Sequence, residues 1–179
     1  MKKLALVIFA VLIVTAAFAF DKGTLNPGGT LSFSSSKSDS DAETYTVFSL
    51  APQVGYFVKD NLSIDVLFDI RAENQGDQSL SLFGIGVGAR YFYKMLYFGP
   101  GFIHYSQNYD YGIIDGTTTA NYLALKAGFL VPVVENVYVD LGMNYKFGIG
   151  EYGGDGSGNN EGSTLTVGAG LQVLFPKTK

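Results

Sequence analysis

Apolar and polar residues alternate with a period of two along most of the chain, and no apolar stripe recurs at the spacing of an amphipathic helix. The longest ladder sets Val137, Val139, Leu141, Met143, Tyr145, Phe147 and Ile149 on one face and Tyr138, Asp140, Gly142, Asn144, Lys146, Gly148 and Gly150 on the other. Successive side chains of a strand point to opposite sides, so this segment reads as one long strand. Ladders of the same kind run over 62–70, 83–91, 123–131 and 165–175. Weaker ones cover 48–56 and 96–102, with a short start at Leu31 and Phe33. The pattern predicts an all-β chain of eight strands.

The connections alternate in length. Lys59-Asp60-Asn61, Lys94-Met95 and Val134-Glu135-Asn136 have the length of tight hairpins, whereas 34–43, 72–79, 106–119 and 151–162 are long and rich in Ser, Gly, Asn, Asp and Thr. Short turns at one end, long loops at the other and an even strand count predict an eight-stranded antiparallel up-and-down transmembrane β-barrel with both termini at the short-turn end. The glycines say which face is outside. Gly55, Gly84, Gly86, Gly88, Gly99, Gly101, Gly128, Gly142, Gly148, Gly150, Gly168 and Gly170 all fall on the polar phase. Glycine suits the lining of a narrow, tightly curved barrel far better than a water-facing surface, which normally carries many charges. The opposite assignment, a soluble lipocalin-like carrier with its apolar phase around a ligand, is the alternative this argument disfavours. Aromatics crowd toward strand ends, with Tyr56, Phe57, Tyr91, Phe92, Tyr93, Tyr97 and Phe98 by the short turns and Tyr45, Phe48, Tyr122, Tyr145 and Phe147 by the loops, which predicts two interfacial girdles.

Composition narrows the chemistry. Only 16% of the 179 residues are charged. The absence of Cys removes disulfides and thiol chemistry, and a single His removes a multi-histidine metal centre. Met1-Lys2-Lys3, the apolar run 4–16 and the small residues of Ala17-Phe18-Ala19 predict a signal peptide over 1–19, cleaved after Ala19, ahead of a barrel domain over 20–179. Losing Lys2 and Lys3 takes the formal charge from −4 to −6, so nucleic acid is not an expected partner.

Three stretches carry a family resemblance. Leu50-Ala51-Pro52-Gln53-Val54-Gly55-Tyr56-Phe57-Val58-Lys59-Asp60-Asn61-Leu62, Gly84-Ile85-Gly86-Val87-Gly88-Ala89-Arg90-Tyr91 and Phe98-Gly99-Pro100-Gly101-Phe102 resemble the first hairpin and the fourth and fifth strands of the small OmpA/OmpX-type outer-membrane barrels. The resemblance spans nearly the whole mature chain and implies location in the outer membrane, among lipid and lipopolysaccharide. It departs at the end, where Phe175 is followed by Pro176-Lys177-Thr178-Lys179 instead of closing the chain on an aromatic.

The inward phase holds Asp65, Asp69 and Asp140 against Arg71, Arg90, Lys126 and Lys146, while the central stretch of the lipid phase holds no charge. These residues are expected to form an interior ion-pair network that plugs the barrel. Counting up from the short turns groups Asp65, Arg90 and Asp140 low and Asp69, Lys126 and Lys146 higher, with Arg90 central to the lower group. The alternative chemistry is enzymatic. His104 and Ser106 share a strand face at the loop end, and the pair is similar to the His-x-Ser element of the lipid A 3-O-deacylase barrels, which implies His104 as base and Ser106 as nucleophile. Here Gln107 stands where that family has Asn, and no Glu follows at a spacing that would orient the His. Asp155-Gly156-Ser157-Gly158-Asn159-Asn160 lacks the sixth-position Gly and twelfth-position Glu of a calcium loop, so no metal or other cofactor is expected. The expected role is structural, in envelope integrity or in surface interaction through four long extracellular loops with an unspecified surface ligand.

Overall fold

The computed structural model describes residues 20–36, 43–76, 78–110, 115–156 and 158–176. The expected signal peptide, and with it the domain boundary at residue 19, lies outside them, as do Lys37, Asp39, Asp41, Asp77, Ser157 and the last three residues. Eight strands follow in order: β1 (Leu25–Ser36), β2 (Tyr45–Lys59), β3 (Leu62–Gln75), β4 (Gln78–Tyr93), β5 (Leu96–Asp110), β6 (Asp115–Val134), β7 (Val137–Gly154) and β8 (Ser163–Val173). Each pairs antiparallel with its neighbour, and β8 returns to β1 to close a barrel.

The short turns are two residues long, and each carries one left-handed residue, at Asn61, Lys94 and Asn136. Register slips beside two of them, between Phe57 and Lys59 and between Pro132 and Val134, are the bulges that such turns need to match the twist of their strands. Thr24, Asp21 and Phe20 continue below β1, where Phe20 N–H donates to Asn61 Oδ1 (3.1 Å) and Gly23 N–H donates to the Phe57 carbonyl (2.8 Å).

The alternating faces separate as their chemistry requires. Leu31, Phe33, Val87, Phe98, Leu125 and Leu171 stand exposed on the outer wall, an apolar surface that lipid accepts and water does not. Asp65, Arg90, Asp140 and Gln172 are buried inside. The soluble-carrier alternative needs the reverse placement and is corrected here.

Three other expectations change. β1 begins at Leu25 rather than Leu31, because Pro27, Gly28 and Gly29 interrupt its apolar ladder without interrupting its pairing to β2. Two of the four connections expected as long loops, 72–79 and 106–119, are largely strand among the described residues. β3 and β4 stay paired out to Gln75↔Gln78, and β5 and β6 out to Asp110↔Asp115, leaving 151–162 as the one expected loop that keeps much length beyond its strands among the described residues. Above the apolar belt water bathes both faces, so a strand there can be polar throughout and reads as a loop. The expected lower girdle also divides. Tyr56, Tyr91, Tyr93 and Phe98 face outward, but Phe57, Phe92 and Tyr97 turn inward and pack with Phe20, Met95, Leu130, Tyr138 and Leu174 into an apolar floor at the short-turn end.

The seam between β1 and β8 is short. Gly28↔Gln172 and Gly29↔Leu171 pair, and Leu25 and Phe175 exchange backbone hydrogen bonds below them, but from Thr30 to Ser36 β1 pairs with β2 alone.

Candidate functional site: the layered barrel interior

β3 displays the layers of the interior in order, since its inward positions are Ser63, Asp65, Leu67, Asp69 and Arg71. The lowest polar layer sits on the aromatic floor. Arg90, on β4, is paired across from Ser63, which brings its guanidinium diagonally onto Asp65. Nε donates to Asp65 Oδ2 at 2.7 Å and Nη2 to Asp65 Oδ1 at 2.9 Å, a bidentate clamp between two side chains that are each only 1% exposed. Ser63 Oγ donates to the same carboxylate (3.0 Å), and Arg90 Nη1 donates to Gln172 Oε1 (3.2 Å). Gln172 passes the chain on to Asp140 through its amide, and Tyr97 OH donates to the other Asp140 oxygen at 2.8 Å. The Arg90 guanidinium carbon lies 5.2 Å from the ring centres of both Phe92 and Tyr97, so the floor also meets its cation.

Glycines make this packing possible. A Cβ at Gly55 would enter the space held by the Asp65 carboxylate and Arg90 Nη2, and one at Gly128 or Gly142 would strike the Tyr97 phenol.

Above lies an apolar layer of Leu67, Ile103 and Ala124. A second polar group follows: Tyr105 OH donates to Asp69 Oδ2 (2.6 Å), while Lys146 Nζ donates to the Tyr105 oxygen (2.6 Å) and to Asp69 Oδ2 (3.1 Å). Here the ion pair is 16% and 20% exposed, because it opens into a cavity of about 610 Å³ that also reaches Thr30, Ser32, Lys126 and Gly168.

The seven sequence-predicted charges thus separate into several sets. Asp65, Arg90 and Asp140 join one network, and Asp69 and Lys146 another. Lys126 meets no carboxylate among the described residues; its hydrogen-bond partner is Gln53 Oε1 at 3.3 Å. Arg71 departs from the expected plug, since it stands at the rim, 46% exposed, and pairs with Glu73 at 2.6 Å. Glu73 also accepts from the Tyr45 hydroxyl, whose pKa that hydrogen bond and burial hold above the usual value of 10. Tyr97, Tyr105 and Gln172 were missed as members. For the two tyrosines the signal was present in the odd-numbered inward phase of β5, where Tyr97 and Tyr105 alternate with Gly99, Gly101 and Ile103.

His104 and Ser106 lie on the outer wall of β5. His104 pairs across to Asn121, and its Nδ1 is hydrogen-bonded with Asn121 Oδ1 at 2.9 Å. Ser106 is paired to Phe83 and Thr119, and no hydrogen bond joins it to His104 among the described residues.

No protein-family model and no curated protein matches the sequence. Solved structures do. The barrel is similar to that of Neisserial surface protein A. That crystal structure superposes with a TM-score of 0.62 over 89% of this chain and 100% of the other, at 21% identity. The translocator domain of the autotransporter NalP from Neisseria meningitidis aligns with 99% of this chain and 70% of its own, at 14% identity and a TM-score of 0.39. The first likeness shows the fold, an eight-stranded barrel of the outer-membrane type.

Proposed function

We propose that the protein is a non-enzymatic outer-membrane barrel whose interior is sealed at the periplasmic end, and that it serves envelope integrity and surface contact. The observation that carries this reading is the pairing of the aromatic floor with the Arg90 network directly above it, a stack that puts apolar rings and a saturated charge cluster across the bore. A bore filled in this way suits a wall element better than a channel. With both termini at the periplasmic end, the strand extensions beyond the apolar belt stand outside the cell among lipopolysaccharide. Their acids Asp110, Asp115 and Glu151, with Asp155 just past the end of β7, suit contact through bridging divalent cations.

The test combines fractionation with electrical recording. The protein is expected in the outer-membrane fraction, migrating faster unboiled than boiled, and in planar bilayers it is expected to add no steady conductance. A soluble periplasmic band or sustained channel currents would overturn the reading.

One observation favours a second reading, lipid A modification at His104 and Ser106. Asn121 supplies an orienting partner for His104 that the sequence did not reveal, as a third group does in triad chemistry. The lipid A mass spectrum of cells expressing wild type or His104→Ala decides it. Loss of an ester-linked acyl chain only with the wild type would establish the enzyme, and identical spectra matching those of cells without the protein would dismiss it.

A further inference from the structure

The upper part of the β1–β8 seam is open at a depth where the outer wall is still apolar. Leu31 and Phe33 on β1 and Leu165 and Val167 on β8 face outward, and Val167 is 76% exposed. Between them, the facing edges of the two strands leave their ladder hydrogen bonds unmade above Gly29↔Leu171. A sheet edge at bilayer depth is tolerated only where it lines a polar, water-filled space, because hydrocarbon cannot satisfy its backbone groups.

A cavity with polar and charged side chains in its lining meets that edge. The interior cavity reaches the seam at Gly29, Thr30, Ser32 and Gly168, and a Cβ built on Gly168 meets nothing within 4 Å. Outside, a shallow furrow runs down the same seam between Pro27, Leu31, Leu50, Leu171, Val173 and Phe175, with mostly apolar walls. Gly29 and Thr30 line both. A polar chamber therefore meets an apolar trough at one gap in the wall.

The charges of the chamber select a sign. Arg71, Lys126 and Lys146 line it against Asp69 and Asp140, and Lys126 is the base that carries no carboxylate partner among the described residues. A buried cation gains most from an anion it can contact away from bulk water. We propose that the β1–β8 seam is a binding site for a single-chain anionic amphiphile, its head beside Lys126 in the chamber and its chain passing through the gap into the furrow. A volume of about 610 Å³ lies within the roughly 300–1,000 Å³ range of small-molecule sites. Continuing the register from Gly29↔Leu171 would set Ser32 against Gly168 and Phe33 against Val167, positions that the structure leaves unpaired across the seam.

The experiment is native mass spectrometry of the full mature barrel in a non-ionic detergent, with laurate as the probe and dodecanol as its uncharged counterpart. Each variant is first checked for the unboiled gel shift of a closed barrel. Wild type is expected to retain laurate at least tenfold better than dodecanol. Lys126→Gln is expected to abolish that preference and Lys126→Arg to keep it. Gly168→Phe, which adds a ring where the structure has room, is expected to block both probes. Equal retention of laurate and dodecanol by wild type would overturn the proposal, as would an unchanged preference in Lys126→Gln or unchanged retention in Gly168→Phe. Dimers without adducts would overturn it too, by assigning the seam to strand addition from a second copy.

Discussion

Asp65 with Arg90 and Asp69 with Lys146 are the same chemical event at two heights of one bore, a carboxylate from β3 meeting a base from another strand. The lower pair is bidentate, nearly inaccessible, and held between the aromatic floor and the Leu67 layer. The upper pair shares its carboxylate with a tyrosine and opens into the chamber. What separates them is water. Without it, each partner is costly to leave alone, so the lower pair locks the barrel, whereas the upper pair can exchange partners with solvent or a ligand. The Arg71–Glu73 pair at the rim extends the series to a base that is 46% exposed beside a carboxylate that is 19% exposed.

The comparison is broken most directly at Arg90. Arg90→Ala strands the Asp65 carboxylate in a dry site and is expected to cost about 3–5 kcal/mol of unfolding free energy, measured by urea titration of the barrel in phospholipid vesicles. A loss below about 1 kcal/mol, the level of an ordinary surface pair, would show that the lower network is not dry. The double variant Asp65→Leu with Arg90→Met removes both charges together. It is expected to recover most of that loss, because replacing a buried pair by apolar side chains is often neutral; a loss equal to that of Arg90→Ala would place the stabilisation in the pair's hydrogen bonds instead. Lys146→Met leaves Asp69 with Tyr105 and with solvent, so about 1 kcal/mol is expected, shrinking as salt is raised. The smallest effect belongs to Arg71→Ala, about 0.5 kcal/mol for a pair whose base is this exposed, and a loss as large as that of Lys146→Met would place the rim inside the sealed interior.

Much of this was legible along the chain, for a specific reason in each place. β7 was read correctly in direction and face because its two ladders differ along its whole apolar length, from Val137 to Ile149. β1 was read short because Pro27, Gly28 and Gly29 remove the apolar signal where the strand is most tightly paired. The charges Asp65, Arg90 and Asp140 could be placed inside by phase and height, but not Gln172, whose amide links Arg90 to Asp140 and whose own position carries no charge to mark it. Phe57, Phe92 and Tyr97 were assigned to the lipid interface because aromatic residues near a strand end look alike whichever way they point; one step of phase distinguishes Tyr97 from Phe98.

By itself, then, the sequence determined the strands, their faces and the polarity of the bore, because a period of two is a local property that every strand writes into its own residues. Tertiary structure decided which side chains meet. Arg90 reaches Gln172 from the far side of the closure, Phe20 reaches the floor from beyond the first strand, and Lys146 reaches Asp69 across the bore. These meetings depend on the stagger with which eight strands close on themselves. So does the open seam, where Ser32 and Gly168 stand in register and yet unpaired.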